Sequence, residues 1–161
     1  MLLLLPGMVL LVAATGSGDS SSNLVRDPSF SSLASWRPCV PSQYTRVTDV
    51  VRAPATAAMR QSDGDAAECH TCSQVAEGFV AGRRYNASAW IKSANITGGD
   101  TGASVCVEYS GKNGYISGIY PAGVKGATDW TSVSGIADVP VEATSVTISV
   151  YTRKGMFGTA F

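Results

Sequence analysis

The sequence predicts an all-β fold, a two-sheet antiparallel β-sandwich of the jelly-roll kind. Three observations point there. Apolar residues come in short runs that alternate with polar ones and never hold a 3.6-residue period over a helix length. Gly, Pro, Asn and Asp punctuate those runs at close intervals. The composition is 45% hydrophobic but only 15% charged, and Ser and Thr supply 33 of the 161 residues. Ordinary globular chains are about 25% charged, so this one has the hydroxyl-rich, uncharged make-up of an extracellular β protein.

Taken in order, strands are expected near 23–26, 44–52, 56–61, 73–76, 85–93, 103–109, 115–120, 130–137 and 145–152. Turn signals fall between them at Asp63-Gly64, Gly98-Gly99-Asp100, Gly111-Lys112-Asn113-Gly114 and Gly123 to Gly126. Three of the strands show their faces. Ala87, Ala89 and Ile91 alternate with Ser88, Trp90 and Lys92; Val105, Val107 and Tyr109 alternate with Ser104, Cys106 and Glu108. Val146, Ile148 and Val150 alternate with Thr147, Ser149 and Tyr151, and Arg153 continues the polar side. Each thus carries an aliphatic core face and an outer face of hydroxyls, charges and rings, as a half-wet antiparallel sheet requires.

The charge balance is 12 Lys+Arg against 12 Asp+Glu. A net charge of zero leaves no basic footprint for nucleic acid and no polybasic signal for anionic lipid, and the chain is too apolar to be disordered. No nucleic-acid partner and no membrane insertion are expected, and the protein reads as a monomer or as part of a larger chain.

Residues 1–14 are uncharged and almost wholly aliphatic. That run is shorter than the roughly 20 residues a membrane-spanning helix needs. It has the length of a signal-peptide apolar region, with Val12-Ala13-Ala14 offering small residues for cleavage; an uncleaved anchor is the alternative. Residues 15–22, Thr-Gly-Ser-Gly-Asp-Ser-Ser-Ser, read as a flexible linker, and 23–161 as the domain. Two N-glycosylation sequons, at Asn86 and Asn95, agree with a secreted, extracellular location.

All four cysteines (Cys39, Cys69, Cys72 and Cys106) follow the leader. An even count in an oxidising compartment implies two disulfides in one of three connectivities. Cys39–Cys69 with Cys72–Cys106 is the expected pairing, since the latter two sit at strand positions. Cys69-His70-Thr71-Cys72 lacks the second paired cluster of a zinc site and the terminal His of a haem motif. It also lacks the βαβ setting of a redox motif. His70 is the only histidine, and no G-x-S-x-G elbow accompanies it.

The order of segments resembles a known family. Asn23-Leu24-Val25-Arg26-Asp27-Pro28-Ser29-Phe30 followed by Trp36 looks like its opening, and Gly82 through Lys92 (GRRYNASAWIK) like its Gly-x-x-Tyr-x-x-Ser-x-Trp-x-Lys strand. Asp129-Trp130-Thr131, Asp138-Val139-Pro140 and Gly158-Thr159-Ala160-Phe161 follow in the right order. Over residues 23–161 the chain is similar to carbohydrate-binding modules of the family 4, 9 and 22 type. These are galactose-binding-like jelly rolls usually appended to glycoside hydrolases. The resemblance implies a final aromatic-Asp-Asp-Val strand that the sequence, ending at Phe161, does not contain. It also implies a structural calcium in many members, held partly by an acidic residue after the Pro-x-Phe. Here Ser31 stands at that place, and no cofactor is expected.

The implied function is non-catalytic binding of a neutral or weakly charged polysaccharide or glycan, in a secreted chain associated with a hydrolase or other extracellular domain. Sugar recognition needs flat aromatic faces and a few polar groups at the hydroxyl edge. The outer faces offer Trp90 and Tyr151 as platforms, with Glu108, Lys92, Thr147 and Arg153 at the edge. Tyr115 and Tyr120 either extend the cleft or pack beneath it, and Trp36 and Trp130 are assigned to the core or a sheet edge. Glycoside hydrolysis needs two carboxylates at fixed separation, and the acids here are scattered, so no catalytic residues are expected. The alternative is a structural or adhesive β-sandwich without a glycan pocket.

Overall fold

The computed structural model describes residues 11–14, 23–37, 43–53, 55–63, 70–98, 101–152 and 156–161. Residues 1–10, the linker 15–22, Cys39, Cys69 and Arg153 lie outside them. The described residues form ten strands and no helix. They are β1 (Leu11–Ala14), β2 (Tyr44–Val47), β3 (Ala58–Asp63), β4 (His70–Val75) and β5 (Arg84–Gly98). Then follow β6 (Ser104–Gly111), β7 (Gly114–Ile119), β8 (Gly126–Asp138), β9 (Ser145–Thr152) and β10 (Met156–Ala160).

Two antiparallel sheets result. The four-stranded sheet runs β4-β9-β6-β7. In the six-stranded sheet β5 is the spine. It pairs along one side with β8, and along the other with β1 at Tyr85–Ser88 and with β10 at Ser93–Gly98. β10 continues to β3 and β2. The expected sandwich is therefore the observed one. The stretch 23–26 makes no strand: its backbone is tied to β4 through Gln74, whose buried amide accepts from Arg26 N–H and donates to Arg26 O. Leu11–Ala14, the end of the stretch expected to be a leader, forms the short β1.

The alternation expected for the three clearest strands sets the core. Tyr85, Ala87, Ala89 and Ile91 of β5 face Val105, Val107 and Tyr109 of β6 and Val146 and Ile148 of β9, all buried in one cluster. The alanines leave room that large side chains from the 23–37 segment fill. Phe30 and Trp36 are each 1% exposed, with ring centroids 5.1 Å apart. Trp36 is thus core, and Trp130 packs half-buried against it. Burying such rings stabilises by roughly 1.5–3 kcal/mol each.

The cysteine expectation is corrected. Cys72 is disulfide-bonded, but Cys106 is a free, buried thiol. Cys72 stands opposite Val150 and Cys106 opposite Ser149, on different sides of the intervening β9 and on opposite faces of its sheet. A bond between Cys72 and Cys106 cannot span that geometry.

Candidate functional site

Successive strands of the four-stranded sheet put one row of residues across its outer face. Val75 of β4 pairs with Thr147 of β9, Thr147 with Glu108 of β6, and Glu108 with Gly118 of β7. The next rows are Ser73, Ser149 and Cys106, then Thr71, Tyr151 and Ser104. β6 and β7 are joined by a two-residue hairpin loop, Lys112-Asn113, between the paired Gly111 and Gly114. Gly114, at φ 98°, holds a conformation that other residues resist.

Beyond the end of β7, Tyr120 folds back over this face. Its hydroxyl donates to Glu108 Oε1 at 2.7 Å. The Tyr120 hydroxyl has a single hydrogen, so the 3.2 Å contact between the Tyr115 and Tyr120 hydroxyls has Tyr115 as donor. The ring of Tyr120 stands edge-on to Tyr151, centroids 6.2 Å apart at 70°, a favourable aromatic geometry. Gly118 makes this fold-back possible: a Cβ there would lie 3.2 Å from the Tyr120 hydroxyl and 2.9 Å from Val107 O.

The electrostatics follow from that packing. Partial burial, then the hydrogen bond to Glu108, push the Tyr120 phenol well above its ordinary range. Burial pushes the Cys106 thiol up to about 12, with the Glu108 charge adding to the rise and a hydrogen bond to Ser149 opposing it. Cys106 is therefore an inert neutral thiol under the site, since only the thiolate reacts. What remains exposed is a pair of rings, Tyr115 at 60% and Tyr120 at 47%, beside the Glu108 carboxylate and the Thr147 hydroxyl.

The expected site residues separate onto two faces. Tyr151, Glu108 and Thr147 gather here, although Tyr151 is only 6% exposed and lies beneath Tyr120 rather than open to solvent. Trp90 and Lys92 lie on the outer face of the other sheet. There Trp90 is half-buried with the Arg52 guanidinium 3.8 Å above its ring centre. The Lys92 ammonium pairs with Asp129 at 3.0 Å and holds that carboxyl below the usual carboxylate range. Trp90 and Tyr151 therefore belong to different sheets, although both line one pocket with Phe30, Met59 and Phe161.

The sequons also belong to the six-stranded sheet. Asn86 is half-buried between Ala13 and Ile136, and Asn95 is exposed at φ 57°. For calcium, the described residues contain no cluster of three or more His, Cys, Asp or Glu side chains that could hold a metal. The Asp27 carboxylate accepts from Ser31 N–H, Ser31 Oγ–H and Ser32 N–H at 2.6–2.8 Å. It thus closes the turn of the opening segment.

The fold has relatives among solved structures. The chain is similar to the family 16 carbohydrate-binding module-2, at TM-score 0.57 and 18% identity over 85% of this chain and 95% of that one. It is similar to the CBM22-1–GH10 modules of the Clostridium thermocellum endo-1,4-β-D-xylanase 10B, complexed with xylohexaose. There the TM-score is 0.55 and the identity 13%, over 95% of this chain and 28% of that one. It also matches the enzymatically active domain of the bacteriophage CBA120 tailspike protein 4, at TM-score 0.58 and 14% identity over 82% of this chain. The chain spans only 19% of that tailspike domain. No family model matches the sequence, and no curated protein matches it. The fold is that of the carbohydrate-binding jelly rolls.

Proposed function

We propose that this domain is a non-catalytic carbohydrate-binding module of a secreted protein, taking its glycan on the outer face of the four-stranded sheet. The observation that carries the reading is the Tyr115–Tyr120–Glu108 relay. Two partly exposed rings offer apolar faces to the C–H side of a pyranose, and an adjacent carboxylate accepts from its hydroxyls. Flat apolar surface with sparse, fixed hydrogen-bonding groups is how small polar ligands are held.

The modules with this fold are named for carbohydrate binding, and one was solved with xylohexaose, which supports the ligand class. Glu108 is the carboxylate engaged with the tyrosine pair, and no second carboxylate is paired with it among the described residues, whereas glycoside hydrolysis requires two at a fixed separation. That favours binding over catalysis. Secretion is supported by the apolar amino-terminal stretch, the two sequons and the disulfide at Cys72. Attachment to a glycoside hydrolase or other extracellular domain belongs to the same reading. Two stacking rings at about 1 kcal/mol each and a few hydrogen bonds, mostly offset by desolvation, give an affinity of roughly micromolar to millimolar.

The test is retention of the purified domain in native gels cast with a panel of soluble polysaccharides, xylans and β-glucans among them. Retardation by at least one, abolished by Tyr115→Ala with Tyr120→Ala while the fold is kept, supports the reading. Failure of every polysaccharide to retard the wild type replaces it with the structural or adhesive sandwich.

A further inference from the structure

The row Val75–Thr147–Glu108–Gly118 does not end at β4. Beyond that edge lies a groove of about 350 Å³ lined by Arg26, Ala34, Ser35, Arg37, Ser73, Gln74 and Val75. Two consecutive residues of β4 hold its arginines in place. Gln74 clasps the backbone of Arg26 on both sides, through bonds of 2.8 and 2.9 Å. Ser73 binds Arg37 twice: its carbonyl accepts from Arg37 N–H, and its hydroxyl donates to Arg37 O at 2.8 Å. The backbones carrying both guanidinium groups are thus fixed to the sheet, which lowers the entropy lost on ligand binding.

The groove's charge is one-sided. Its lining holds two arginines and no acid. Arg26 is engaged from outside by Glu77 at 3.0 Å, in an exposed pair that water screens. Arg37 is exposed and makes no ion pair with any described residue. Ser35 stands in the same wall, the Ser73 hydroxyl being committed to Arg37 O, and Val75, half exposed, adds apolar surface beside Thr147. A guanidinium fork beside hydroxyl groups matches a carboxylate or sulfate bidentately.

We infer that this groove is an anionic subsite, and that the glycan bound on the four-stranded face is acidic, its carboxylate or sulfate seated against Arg37 and Arg26. The inference rests on the proposed binding face and deepens it. From Val75 to Gly118 the row crosses four strands, roughly 14 Å at about 4.8 Å per strand, so one oligosaccharide lying across the strands reaches both the tyrosines and the arginines. The chain's zero net charge hides this local asymmetry.

Calorimetric titration with oligogalacturonate, its methyl ester and a sulfated carrageenan oligosaccharide tests it. Tighter binding of one acidic ligand than of the neutral ester, weakened by added salt, is expected, and which acid wins distinguishes carboxylate from sulfate. Arg37→Gln should cost that ligand about tenfold, the size of one charge-assisted contact, and leave the ester unchanged. Arg37→Lys should recover part of the loss. Equal loss for acid and ester, or neutral glycans bound as well as acidic ones, overturns the subsite while leaving the binding face intact. Binding of no glycan, acidic or neutral, overturns both.

Discussion

Tyr120 donates to Glu108 across 2.7 Å from beyond the end of the neighbouring strand, and the room for this contact is the missing side chain of Gly118, directly opposite Glu108. A residue with no chemistry of its own thus shapes the exposed face. Gly118→Ala should displace the Tyr120 ring, 3.2 Å from the added Cβ, and force a small backbone shift away from Val107 O, 2.9 Å from it. The expected result is a loss of glycan affinity of about three- to tenfold with the fold retained, read by titration alongside circular dichroism. An unchanged affinity would mean that the ring's position is not what the ligand senses.

Trp90→Ala should act on stability rather than binding. Its ring is half-buried, packs on the core and lies under the Arg52 guanidinium. Losing that packing and a cation–π contact should cost about 2–3 kcal/mol. Denaturant melts measure that cost, and polysaccharide gels should show retention equal to the wild type.

Stability should fall on the alkaline side. Tyr109 is pushed from 10.0 up to about 12, by burial first and the Asp138 charge second. Cys106 is pushed from 9.0 up to about 12. Both folded values lie above the unfolded ones. The stabilisation is therefore complete below pH 9, and is lost as the unfolded chain sheds protons that the folded chain keeps, between about pH 9 and 12. Thermal melts across that range should show a decline. Tyr109→Phe should flatten it, and at neutral pH it should be neutral or stabilising by about 1 kcal/mol. The reason is that the buried Tyr109 hydroxyl has no hydrogen-bond partner among the described residues.

Cys106 should resist thiol reagents in the native protein. It is 3% exposed and held protonated by its surroundings. A thiol assay at pH 8 should leave it unmodified when folded and modify it once the protein is denatured without reductant. Rapid reaction in the folded state would contradict its burial beside Ser149.

Period-two alternation made the faces of β5 legible, because that strand has one buried side. In β6 and β9, Ser104, Cys106, Ser149 and Tyr151 of the expected outer face are buried as well. The hairpin of β6 and β7 was legible too, in its Gly111-to-Gly114 turn. Sheet membership was not. The alternation sets Trp90 and Tyr151 opposite the aliphatic residues of their strands, but nothing local says that β5 and β9 belong to different sheets, so one expected face became two. The same blindness to strand order put Cys72 beside Cys106, although β9 runs between them. Tyr120 follows β7 and reaches Glu108 by folding back, a contact that no periodicity encodes. The groove of Arg26 and Arg37 arises because the expected strand at 23–26 is instead a loop pinned by Gln74.

The central claim is that the ligand face is the outer surface of the four-stranded sheet. The most direct measurement is an amide chemical-shift titration of the isotopically labelled domain with a polysaccharide fragment that it binds. Shifts should concentrate in residues 104–120 and 145–151 and at Ser73 to Val75, with residues 86–92 and 130–136 of the six-stranded sheet unmoved. Shifts centred on Trp90, Lys92 and Ser132, with Glu108 and Tyr120 silent, would contradict it.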